Sequence, residues 1–297
     1  MSVISKLAER FPQLYLKPAK GVSQSELYRS IIRRGEQYTG DLSHFRGSDE
    51  DSITIARTPA GPIEMVFLKN REDFECFYRI MAEKCEPVPI PRSVGASYIG
   101  GINDWSKIHH HMDKYEKNGG TDTHNEFSRF TADKSNYKTS IILLSDGYYS
   151  NIGFEDTPYG NEEWMRISLE IRKYHELTHF VCRHLFPENI NPIWDELLAD
   201  FYGLLCAIGK YDKQLAFKFL GIRNGQFISG RLEHYVQGQI SEDFVSEIVG
   251  LTDLLIDFVP IEFSREDDNF GTVISIQNKS KEFLKKYPSC VYEQLLR

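Results

Sequence analysis

Apolar residues recur at Trp164, Ile167, Ile171, Tyr174, Thr178, Val181 and Leu185, with spacings of 3, 4, 3, 4, 3 and 4. This is the period of one helical face, and it predicts a long helix. Asn161 is placed to cap its start, Glu162 and Glu163 and then Arg183 and His184 suit the helix dipole, and Pro187 stops it. A second run, Ile193 to Ile208, carries Trp194, Leu197, Leu198, Phe201, Leu204, Leu205 and Ile208. A helix apolar nearly all round is a buried helix. Asn191 as N-cap, Pro192 at the first helical position and Gly209 as the stop frame it.

Patterning in the first part of the chain is more mixed. Residues 2–40 read as short helices broken by Pro12, Pro18 and Gly21. Ile53 and Ile55 alternate in Ser52–Ala56, and a five-residue turn, Thr58–Pro62, leads into Ile63–Leu68, which predicts a β-hairpin. Phe74, Phe77, Tyr78 and Met81 predict a helix over Glu72–Lys84. Pro87, Pro89 and Pro91 force an extended segment, which marks a boundary between an N-terminal α/β region, residues 1–90, and a domain over 91–297; one continuous domain is the alternative. The polar stretch 113–126, with Gly119 and Gly120, reads as a surface loop, and Thr139–Leu144 as a short strand. The expected fold class is therefore α+β: a mostly helical core with a small β-sheet upstream of the long helix.

Composition adds exclusions. With 297 residues and 41% hydrophobic positions there is material for a sizeable core. Acidic residues outnumber basic ones by 43 to 35, the net charge is -8, and no dense Lys/Arg block occurs, so nucleic acid is a disfavoured partner. No apolar run approaches the roughly 18 residues of a membrane-spanning helix, and charges interrupt the N-terminus where a signal peptide is apolar. Cys76, Cys85, Cys182, Cys206 and Cys290 form an odd set without a CxxC pair. Buried free thiols in a reducing cytoplasm are the expectation.

The chemistry lies on the long helix. Residues 175–179 read HELTH. Positions i and i+4 share one helix face, so His175 and His179 can offer two imidazoles to one metal ion. Glu176 is displaced by about 100° around the axis and can stand beside a metal's water as general base. On the second helix Asp195, Glu196 and Asp200 follow. Acids near a helix start suit its dipole, which accounts for Asp195 and Glu196. Asp200 is different, because a carboxylate in a buried helix needs a partner. With Glu196 as third ligand, Asp200, again at i+4, can accept a hydrogen bond from the far nitrogen of a ligating histidine. About seven residues past His179, or roughly 10 Å, precede the turn, so an antiparallel return brings Glu196 level with the histidines.

HELTH, followed 17 residues after its second histidine by Glu196 in an E-x-x-x-D frame, resembles the zincin metallopeptidases of the gluzincin type, which include thermolysin and neprilysin. The resemblance covers Trp164 to Tyr202. It implies His175, His179 and Glu196 as ligands of one zinc ion per chain, Glu176 as general base, Asp200 as the carboxylate behind a ligand, and a zincin-like fold. The metzincin pattern fails, because it requires glycine at 182 and histidine at 185, where Cys182 and Leu185 stand. Zincins also place a strand edge upstream of the metal helix for substrate pairing; Thr139–Leu144 is the candidate, with an ordinary core strand as the alternative.

The expected activity is thus zinc-dependent hydrolysis of a peptide bond in a peptide or protein substrate. Arg231, His234, Tyr235, Tyr148 and Tyr149 are candidates for steadying an oxyanion, against packing or surface roles. The run His109, His110 and His111 looks like a metal signal, but consecutive side chains diverge on a helix. Two rival readings stand: a non-catalytic binding or regulatory protein with a structural or vestigial site, and a zinc hydrolase of a small amide. A fourth protein ligand, such as His184 or Asp195, would favour a structural site.

Overall fold

In the computed structural model, which describes residues 2–188, 191–236 and 239–287, the alternating segment folds as two neighbouring strands, β1 (Ser52–Thr58) and β2 (Gly61–Leu68). Their connection is tighter than the sequence predicts. Thr58 Oγ1 accepts from the Ala60 N–H at 3.1 Å and donates to the Gly61 carbonyl at 2.8 Å, so only Pro59 and Ala60 bridge the strands. With β3 (Ala96–Asn103) and β4 (Lys138–Ser145) they form a sheet of order β1-β2-β4-β3. β4 runs parallel to β2, from Glu64 opposite Ile141 to Leu68 opposite Ser145. Ile141 to Ser145 are all buried. A strand with neighbours on both sides has no free edge, so Thr139–Leu144 is a core strand and not a platform for an extended peptide.

The chain divides into two compact units: residues 1–55, 63–90 and 97–145, and residues 56–62, 91–96 and 146–297. The main change of unit falls at Ser145–Asp146. Residues 97–145 therefore group with the N-terminal part, whereas a boundary at residue 90 would assign them to the C-terminal one. The first unit also holds α1 (Val3–Arg10), α2 (Glu26–Arg29), α3 (Arg71–Met81), α4 (Trp105–Lys117) and α5 (Thr123–Ala132). Arg10 joins α1 to the sheet, donating to Asp104 at 2.8 Å and to Glu64 at 3.0 Å. The expected loop over 113–126 shrinks to residues 118–122, with Gly119 and Gly120, because α4 runs on to Lys117 and α5 begins at Thr123. Each buries a single residue, Ile108 and Glu126 respectively, so an apolar stripe hardly shows in their sequence.

The second unit is built on α6 (Asn161–Leu185) and α7 (Pro192–Ile208), followed by α8 (Lys213–Leu220), α9 (Glu242–Ile256) and, among the described residues, three shorter α-helices. Asn191 caps α7, its side chain accepting from the Trp194 N–H at 2.9 Å, and Gly209 ends it in a left-handed conformation at φ 72°. Gly160, not Asn161, is the N-cap of α6. Trp164, Trp194, Phe201 and Tyr202 are fully buried, as two large apolar faces demand. The architecture is mixed α and β, mostly helical with a small sheet. Among the described residues no helix is long and apolar enough to cross a membrane. Cys76, Cys85, Cys182 and Cys206 are unpaired and buried; Cys290 lies outside the described residues.

Candidate metal centre

Three pairings set the register of α6 against α7. At Gly203 the helices come so close that a Cβ would stand 3.0 Å from the Ile171 carbonyl oxygen. One turn along α6, His175 Nδ1 lies 3.0 Å from Asp200 Oδ1, and a further turn on, His179 Nδ1 lies 2.8 Å from Asp195 Oδ2. Positions ascend on α6 while they descend on α7, so the helices are antiparallel. That return carries the α7 carboxylates back to the α6 histidines.

The ligand atoms of His175, His179 and Glu196 all lie within 4.8 Å of one another. His175 Nε2 and His179 Nε2 are 3.0 Å apart, and Glu196 approaches each, Oε2 to His175 and Oε1 to His179, at 3.4 Å. Both rings are turned by their far nitrogens. With Nδ1–H donated to an aspartate, Nε2 is the nitrogen left to bind a metal, so loss of any Nε2 proton presents two lone pairs beside a carboxylate. Such a cluster calls for a positive charge at its centre, and two imidazoles with one carboxylate are a donor set that suits zinc. The residues therefore fit a metal ion.

The surrounding charges agree. Burial depresses His175, but hydrogen bonds to Asp200 and Glu196 outweigh it and raise its pKa. His179 goes well above its ordinary value, burial being outweighed by Asp195 and Glu196. Burial pushes Glu196 up, yet the two histidines hold it well below the usual carboxylate range. Asp200 is likewise lowered against its burial, by Arg231 and then His175. The two acids favour their ionised form and the imidazoles favour a bound proton, so the cluster stabilises positive charge, and a metal ion would take the place of protons on Nε2.

Asp200 is the buried acid that needed partners, and it has three: His175, the Tyr149 hydroxyl at 2.6 Å and the Arg231 guanidinium. Asp195 is no fourth ligand, because it holds the nitrogen of His179 that points away from the cluster. His184 is exposed, and its Nδ1 lies 2.8 Å from the Phe180 carbonyl oxygen. Glu176 is buried on α6 beside His175.

The oxyanion candidates scatter. Tyr235 donates to Glu196 Oε2 at 2.8 Å, whereas Arg231 and Tyr149 stand behind His175, on its Nδ1 side. Tyr148 donates to Asn161 Oδ1 at 2.7 Å, and His234 is exposed. Sequence reasoning missed Asp195 as the partner of His179, since an acid near a helix start already has an explanation. It also missed the tie between Tyr149 and His175, for which a separation of 26 residues holds no periodic signal.

Fold and site together define a mixed α/β protein with a largely buried histidine–carboxylate cluster whose geometry could hold a metal ion. Residues 1–285 match the family of unknown function DUF7005, and the chain belongs to that family. No curated protein and no solved structure matches it.

Proposed function

We propose that this chain is a zinc-dependent peptidase that hydrolyses a peptide bond, with His175, His179 and Glu196 as the zinc ligands and Glu176 as the general base. The observation that carries this reading is the convergence of two histidine Nε2 atoms and one carboxylate, with Glu176 next to His175 on the same buried helix. Zinc, when bound, polarises a carbonyl group and brings the pKa of water to near 7. Glu176 then takes a proton from the attacking water and passes it to the leaving amine. Asp195 and Asp200 keep both imidazoles in the tautomer that turns Nε2 inward. Burial and the neighbouring Glu196 push the Tyr235 phenol well above its ordinary pKa, so it stays a neutral donor beside that ligand.

A structural zinc site closes itself with four protein ligands, whereas a catalytic one keeps a position open. The two side chains named above as possible fourth ligands, Asp195 and His184, are otherwise engaged, which supports catalysis over a purely structural role. The test is Glu176→Gln assayed on an unbiased peptide library. The variant is expected to keep its zinc and to lose about 100- to 10,000-fold in hydrolysis. Undiminished hydrolysis in that variant contradicts the mechanism, and wild-type protein that cleaves small amides but no peptides moves the substrate to that class.

A further inference from the structure

The polar groups behind His175 form a closed arrangement centred on one phenol. Tyr149 Oη donates to Asp200 Oδ1 at 2.6 Å, accepts from Arg231 Nη1 at 2.8 Å and lies 2.9 Å from His175 Nδ1. A phenol has one proton and two lone pairs. With the proton spent on Asp200 and one lone pair on Arg231, the remaining lone pair faces His175 Nδ1. That nitrogen must then carry a hydrogen, shared between the phenol and Asp200 Oδ1 at 3.0 Å. The other tautomer would set a bare nitrogen against two oxygens.

Tyr149 is also held from outside the site. Its N–H donates to Ser168 Oγ at 2.9 Å, and the preceding carbonyls of Gly147 and Tyr148 accept from Arg172 on α6. Its ring packs edge-on against Phe219, with centroids 4.7 Å apart, in a cluster with Trp164, Ile167 and Ile171. Ser150 and Asn151 follow at φ 51° and 58°, a left-handed turn that side chains rarely adopt. Such a turn persists only where its surroundings over-determine it.

We infer that Tyr149 is a positioning residue for the metal centre, fixing the ring of His175 so that Nε2 faces the cluster. This inference rests on the reading that His175, His179 and Glu196 hold a metal ion. Its test is zinc affinity by chelator competition in wild type, Tyr149→Phe and Tyr202→Phe. Tyr202 is an equally buried phenol on α7 that donates to Asp268 and accepts from the Phe270 N–H, away from the cluster. Tyr149→Phe is expected to bind zinc about 10- to 100-fold more weakly, and Tyr202→Phe to match wild type. Unchanged affinity in Tyr149→Phe, or an equal loss in Tyr202→Phe, overturns the inference while the metal site stands. Wild-type protein that binds no zinc overturns both. Should circular dichroism show Tyr149→Phe unfolded, Ser168→Ala decides: it keeps the phenol, removes its backbone anchor, and is expected to lose affinity in the same direction. Wild-type affinity there overturns the inference.

Discussion

Two helices of this protein carry clustered histidines, and they have opposite fates. On α4 the three are consecutive, so their side chains leave the axis about 100° apart. His111 Nε2 is taken by Glu126 at 2.6 Å, its ring stacks on Phe130 with centroids 3.9 Å apart, and Glu126 is also tied to Arg129. His109 rests 6.2 Å from the Trp105 ring. On α6 the two histidines are four apart, their rings meet edge to face at 4.6 Å, and each far nitrogen is held by an aspartate. Among the described residues the α6 pair, with Glu196, forms a group that could hold a metal ion, and the α4 run does not. A metal site is made less by the number of imidazoles than by their spacing and by the carboxylates that decide which nitrogen stays bare.

The close approach of α7 is what brings the carboxylates to the α6 histidines, and removing it should level the difference. In Gly203→Val the new side chain meets the Ile171 carbonyl oxygen at 3.0 Å and its Cγ2 at 3.2 Å, and backbone gives way poorly. We expect loss of zinc binding and about 1–3 kcal/mol of stability, read by calorimetry and chelator competition. Wild-type affinity in that variant would show that the helix spacing does not matter. A milder change tests the carboxylates alone: Asp195→Asn is expected to weaken zinc by about 10- to 100-fold, and an unchanged affinity would break the claim that Asp195 sets the His179 ring.

The smallest expected effect is a pH dependence. His175 and His179 are raised by their carboxylates against burial. Without metal, the stability they contribute is complete below the ordinary imidazole value of about 6.5 and lost as pH rises through the raised values. Glu196 and Asp200, held low, act oppositely: their contribution is present above the ordinary carboxylate range and lost as pH falls through the lowered values. The melting temperature of metal-free protein should therefore decline as pH rises above the ordinary imidazole value of about 6.5, and saturating zinc should abolish the decline. A flat metal-free profile over that range contradicts this electrostatic picture.

Much of the site was legible because short-range rules govern it. HELTH, the 3-4 apolar period, Asn191, Pro192, Gly209 and the buried Asp200 each carry a local physical signature, and α6 and α7 follow them. What escaped depends on contacts between distant residues. The Pro59–Ala60 turn is closed by Thr58, β4 is interior because β3 covers its second side, and α4 and α5 bury too little to show a period. Tyr149 reaches His175 and Arg231 only through the folded chain.

The central claim is that α6 and α7 hold one metal ion. Elemental analysis of untagged protein purified without chelator tests it directly, beside His175→Ala and, from the α4 run, His110→Ala. The account expects about one zinc per chain in the wild type and in His110→Ala, and none in His175→Ala. A wild type that stays metal-free when zinc is offered, or zinc retained in full by His175→Ala, would contradict it.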